Sequence, residues 1–86
     1  MKKRIYVGNL NPEVKDKDLK ELFSEFGEVI YAKVSTRPEK RSRGFGFVEM
    51  AEENQARKAI EKLNQTTLMD RKIVVNEAKE RIGRVL

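Results

Sequence analysis

Cysteine, histidine and tryptophan are all absent from this 86-residue sequence. Without cysteine there is no disulfide and no thiolate metal site. Without histidine the commonest general base and the commonest transition-metal ligand are both missing. Apolar runs extend over only a few residues, too short to cross a bilayer. The basic start "MKKR" leads into "IYVGNL", which soon meets Asn11, Pro12 and charged residues, a poor match to a signal peptide. Asn64-Gln65-Thr66 fits a glycosylation acceptor, but with no secretory signal it is read as chance. The expectation is a soluble, cytoplasmic protein with no membrane association. The length suits one small domain over residues 1–80 with a single modest core, followed by a short charged tail, 81–86.

What is present is charge, unevenly spread. The net charge is +5. The N-terminal "KKR" is wholly basic, and Arg37, Lys40, Arg41 and Arg43 face a single acid, Glu39. Residues 13–28 invert the balance, with Glu13, Asp16, Asp18, Glu21, Glu25 and Glu28 against Lys15, Lys17 and Lys20. Positive charge concentrated in a few segments of a basic domain points to a polyanionic partner.

Periodicity supplies the architecture. "IYVGN" (5–9), "VIYAKVS" (29–35), 44–50 and "KIVVNEA" (72–78) read as strands. Leu19, Leu22, Phe23 and Phe26 recur at helical spacing, as do Ala56, Ala59, Ile60 and Leu63. Asp16 is placed to cap the first helix and Gly27 to end it. The order β-α-β-β-α-β predicts an α+β, ferredoxin-like sandwich: a four-stranded antiparallel sheet with two helices on one face. Alternate strand residues then separate into two sets. Ile5, Val7, Ala32, Val34, Gly46, Val48, Met50, Ile73 and Val75 form a face suited to the helices. Tyr6, Gly8, Tyr31, Lys33, Phe45, Phe47, Glu49, Val74 and Asn76 form the other. Burying Lys33, Glu49 and Asn76 unpaired would be costly, so this second face is assigned to water. Tyr6, Phe45 and Phe47 are therefore displayed on an open sheet, and an exposed apolar patch of that kind marks a binding surface.

The stretches that carry these rings resemble a known family. "RGFGFVEM" (43–50) is similar to the longer signature of the RNA-recognition motif, agreeing at seven of its eight positions, and "IYVGNL" (5–10) is similar to the shorter one. "DLKELFSEFGEV" and "ARKAIEKLN" extend the likeness through both helices, and the compact chain most resembles small bacterial proteins built from one such motif. The resemblance implies that Tyr6 and Phe47 each stack a base, that Phe45 packs against the sugars between them, and that Arg43 contacts a phosphate. It also implies contacts from Lys33, Glu49, Asn76, Ala78 and Lys79. Arg41, with Arg37 and Lys40, lies in the basic β2–β3 loop and is added as a phosphate contact, the alternative being a solvated loop. For Arg43 the alternative is a salt bridge to a local acid, and for Tyr31 packing at a sheet edge is favoured over stacking. Gly8 has two readings, room for a flat base, or strand twist or a bulge.

Three departures from the family pattern stand out. Met50 replaces an aromatic but points to the core side, Lys15 replaces the usual Ser or Thr cap, and "NQTTLMDRKI" lacks glycines near 65 and 70, where Asp70 tolerates a left-handed backbone. Acylphosphatase-like enzymes share the architecture but need an arginine in the loop after the first strand, where this chain has "NLNPEV". No enzyme, cofactor or metal is expected. The implied function is that of a monomeric module for single-stranded RNA, with single-stranded DNA a second ligand and an RNA-recognition-like protein-interaction domain the rival reading.

Overall fold

The computed structural model describes residues 3–36 and 42–78, with the side chains of Lys3, Ser42 and Arg43 left aside. The elements follow in the order β1 (Lys3–Gly8), α1 (Asp16–Ser24), β2 (Val29–Thr36), β3 (Ser42–Met50), α2 (Glu53–Leu63), β4 (Thr67–Leu68), β5 (Arg71–Lys72) and β6 (Val74–Glu77). Four strands pair antiparallel in the order β2-β3-β1-β6, the sheet of the ferredoxin-like sandwich. β4 and β5 form a separate small hairpin that the periodicity did not predict.

The two helices bury their apolar stripes against one face of the sheet. Leu19 and Phe23 of α1 and Ala56, Ala59 and Leu63 of α2 are buried, with Leu22, Phe26 and Ile60 packed at the margin. They meet Ile5, Val7, Val34, Val48, Met50, Ile73 and Val75, each a member of the set assigned to the helices. Met50 is fully buried, as its parity required. Burying each large apolar side chain contributes roughly 1.5–3 kcal/mol, so a one-residue slip of any central strand would forfeit several such terms at once.

β2 departs from simple alternation. Val29 pairs with Met50 and Tyr31 with the adjacent Glu49, so Ile30 is an extra residue, a β-bulge. Ile30 is left 46% exposed although its number has the parity of the buried set. Beyond the bulge the alternation resumes, with Ala32 opposite Val48 and Lys33 opposite Phe47.

A side chain from a helix end takes one backbone N–H on each edge of the sheet. Asp16 does not cap α1 as expected. Lys15 holds the N-cap position, and its backbone N–H donates to the Asp18 carboxylate at 2.8 Å. The Asp16 carboxylate instead accepts from the backbone N–H of Val34 on edge strand β2, also at 2.8 Å. On the opposite edge the Asn64 side-chain oxygen accepts from the N–H of Val75 at 2.9 Å. Unpaired edge groups template pairing with other chains, and both contacts occupy such a group. α1 ends at Glu25 in a right-handed conformation, so the expected glycine cap at Gly27 is not used.

Candidate nucleic-acid interface

The face of the sheet away from the helices carries three rings. Tyr6 on β1 and Phe45 and Phe47 on β3 have centroid separations of 6.0 Å (Tyr6–Phe45), 5.9 Å (Tyr6–Phe47) and 6.0 Å (Phe45–Phe47). They form a nearly equilateral triangle. Phe45 and Phe47 meet edge to face at 87°, the arrangement favoured by the ring quadrupole. All three are half-buried, steadied at their sides while part of each ring faces solvent.

Strand register gathers the polar candidates around this triangle. Asn76 is the cross-strand partner of Tyr6, Tyr6 of Phe47, and Phe47 of Lys33. Asn76, Tyr6, Phe47 and Lys33 thus form one row across all four strands of the sheet. The outer two are exposed and polar, the inner two aromatic. A second row runs beside it through Arg4, Glu49 and Tyr31. Glu49 engages a partner in this structure and is half-buried. Tyr31 lies on edge strand β2, 41% exposed, outside the triangle.

Arg4 was missed by the sequence reading. Its guanidinium carbon lies 5.6 Å from the centre of the Phe47 ring. The signal was available, because Arg4 precedes Tyr6 by two and shares its face. It was hidden by being counted with Lys2 and Lys3 as generic N-terminal charge.

Two glycines adjust the backbone to this surface. A β-carbon at Gly46 would lie 2.5 Å from the Lys33 carbonyl oxygen and 3.0 Å from Val34 Cα. Only glycine lets β3 approach β2 so closely on the buried side. At Gly8 there is no bulge, since β1 and β6 pair without a register shift. The Tyr6 ring itself lies over Gly8, and a β-carbon there would stand 2.5 Å from the Tyr6 hydroxyl oxygen. The missing side chain seats Tyr6.

Loops at one end of the sheet are tied to the extra hairpin. Asn9 donates to the Lys72 carbonyl at 2.6 Å and accepts from Arg71 at 2.8 Å, while Asn11 donates to the Met69 carbonyl at 3.0 Å. Asp70 adopts the expected left-handed conformation at φ 67°, and so do Met69 at 50° and Gln65 at 69°. Of the remaining candidates, Arg43 has its backbone in β3, and Arg41, Lys79, Arg37 and Lys40 lie outside the described residues, as does the tail. Among the described residues no group of acidic side chains could hold a metal ion, and no helix is long and apolar enough to cross a membrane.

What the surface can do follows from its spacing. Neighbouring bases in a stacked strand rise by roughly 3.4 Å, whereas Tyr6 and Phe47 are 5.9 Å apart. Two bases seated on these rings would lie side by side, splayed from each other, which a single strand permits and a duplex does not.

Comparison with known proteins agrees with this geometry. The chain is 51% identical over 82 residues to RNA-binding protein CP31B, chloroplastic, of Arabidopsis thaliana, covering 94% of this chain and 28% of that protein. It is 49% identical over 79 residues to the 28 kDa ribonucleoprotein, chloroplastic, of Spinacia oleracea, covering 91% and 34%. The chain therefore spans about a third or less of these relatives' length. In the crystal structure of RNA Binding Protein PG1 a chain 51% identical superposes with a TM-score of 0.89, covering 94% of this chain and 99% of that one. The chloroplastic relatives overturn the expectation of a cytoplasmic protein. That expectation leaned on the lack of a targeting segment, and addresses are carried by segments separate from the fold. The likeness to bacterial proteins likewise finds no support in these plant relatives. The model of the RNA recognition motif matches residues 5–74, and the chain belongs to that family.

Proposed function

We propose that this domain binds single-stranded RNA on the open face of its sheet, without catalysis and as a monomer. The observation that carries the reading is the ring triangle of Tyr6, Phe45 and Phe47, set in a row with Asn76 and Lys33. In this reading Tyr6 and Phe47 each take one base and Phe45 packs against the sugars between them. Stacking of this kind accepts any base, since each offers a π-face. Lys33, Glu49 and Asn76 border the two bases and contact their edges. Arg43, with Arg41 in the β2–β3 loop, holds phosphates, and Lys79, which follows β6, contributes a further contact.

The names of the relatives and of PG1 support the ligand class. Single-stranded DNA, which offers the same faces and phosphates, is a second ligand. The edge contacts of Asp16 and Asn64 support the monomer. Titration with a random single-stranded RNA, its perfect duplex and the matching DNA strand tests the proposal. The single strand should bind far more tightly than the duplex. Equal binding to both at moderate salt would leave charge alone as the site. Failure to bind any nucleic acid would favour a protein partner on the same rings.

A further inference from the structure

Arg4 shares the face of the rings yet has no assigned role. Its guanidinium carbon is 5.6 Å from the Phe47 ring centre. Its Nη2 reaches the Tyr31 hydroxyl only at 3.5 Å, at the limit for a hydrogen bond. Its Nε is buried and has no acceptor among the described residues. The side chain passes its cross-strand partner Glu49 to reach Tyr31 on the next strand. A shallow hollow lined by Tyr31, Lys33 and Phe47 opens nearby.

In the free protein this placement returns little. A buried donor without an acceptor costs stability, and a partly exposed cation–π contact offsets only part of that cost. The guanidinium nevertheless lies over the ring on which a base is proposed to stack, so an arriving base displaces it to the base's own edge with a donor still to satisfy.

We infer that Arg4 reads the edge of the base stacked on Phe47 and selects bases that present two adjacent acceptors. The inference rests on the stacking role proposed above for Phe47. A guanidinium has only donors, set in a rigid planar fork. Guanine offers O6 and N7 to such a fork, and unpaired cytosine offers O2 and N3. Adenine places its N6 amino donor beside N7 and repels one arm of the fork. Uracil separates its two carbonyls by an N–H, so it can satisfy only one arm. Phe47 supplies a face that accepts any base, and Arg4 supplies the discrimination.

The test uses a uridine-rich RNA octamer with G, C, A or U at one central position, titrated against the full chain, Arg4→Lys and Arg4→Ala. The wild type should bind the G or the C octamer about tenfold or more tightly than the A octamer. Both variants should level the four octamers, and each should lose less affinity for the all-U strand, which engages one arm of the fork, than for the G or the C octamer. Arg4→Lys keeps the charge and loses the fork, so levelling in that variant separates shape from charge. Should Arg4→Ala melt at the working temperature, Arg4→Lys alone decides. Discrimination that survives substitution overturns the inference, and so does a wild type that binds all four alike. In either case the octamers still bind and the proposed function stands. A wild type that binds none of them overturns the proposed function, and the role of Arg4 falls with it.

Discussion

The ring of Tyr6 lies across the backbone of Gly8, two residues further along the same strand, so a β-carbon at residue 8 would stand 2.5 Å from the Tyr6 hydroxyl oxygen and 2.8 Å from its ring carbons. The small residue sets the tilt of a ring that is proposed to hold a base. Gly46 lies under different pressure, because a β-carbon there would meet the Lys33 carbonyl and Val34 Cα of the neighbouring strand.

These two glycines should fail in opposite ways. In Gly8→Ala the atoms in the way are the far end of a side chain, so the ring swings aside. RNA affinity should fall by about 1–3 kcal/mol, the range for one stacked base, with little change in melting temperature. In Gly46→Ala the obstacle is backbone, and the strain should destabilise the fold by about 1–3 kcal/mol. Thermal melts and RNA titrations on both variants check the contrast. A Gly8→Ala protein that binds normally would show that the seat of Tyr6 is irrelevant to binding.

Adjacent residues on β3 should separate in the same manner. Phe47 faces solvent and Val48 is fully buried against the helices. Phe47→Ala should weaken RNA binding by about 1–3 kcal/mol and leave the melting temperature nearly unchanged. Val48→Ala leaves a cavity and should cost on the order of 1–3 kcal/mol of stability. If Phe47→Ala melted lower than Val48→Ala, the assignment of faces would be wrong.

The β4–β5 hairpin offers a way to stabilise the domain. Both central residues of its turn, Met69 and Asp70, have positive φ, the condition of a type I′ turn that favours Asn-Gly. A left-handed conformation costs an ordinary residue roughly 1–2 kcal/mol. Met69→Asn and Gln65→Gly should therefore each raise stability by about 0.5–1 kcal/mol, after the entropy that glycine adds to the unfolded chain. Denaturant midpoints read the gain, and RNA affinity should stay unchanged because these residues lie off the ring triangle.

Salt divides phosphate contacts from stacking. For single strands the log–log slope of affinity against salt is roughly −0.7 per phosphate neutralised. Replacing Arg41 and Arg43 by alanine should remove about 1.4 of that slope and weaken all sequences alike. Phe45→Ala with Phe47→Ala should lower affinity at every salt concentration and leave the slope intact, since a ring releases no ions. An unchanged slope in the arginine variant would remove Arg41 and Arg43 from the phosphate contacts.

The order of elements, the two-sided sheet and the open face were legible in the residues themselves. Periods of two and of about 3.6 are local properties, carried by neighbours such as Phe45 and Phe47 or Leu19 and Phe23. Those same periods placed Met50 inside and Tyr6 outside. Tertiary structure decided what local periods cannot carry. Register between strands distant in the chain set Asn76, Tyr6, Phe47 and Lys33 in one row and brought Arg4 over Phe47, and no interval within a strand records that pairing. The bulge at Ile30 reversed the parity of β2 at one point, because the extra residue is absorbed only when two strands meet. Asp16 bonds the N–H of Val34 and does not cap α1, a pairing with a strand far from it in sequence that no local pattern records. Gly8 gained a role toward Tyr6, since the direction of a ring depends on the packing around it.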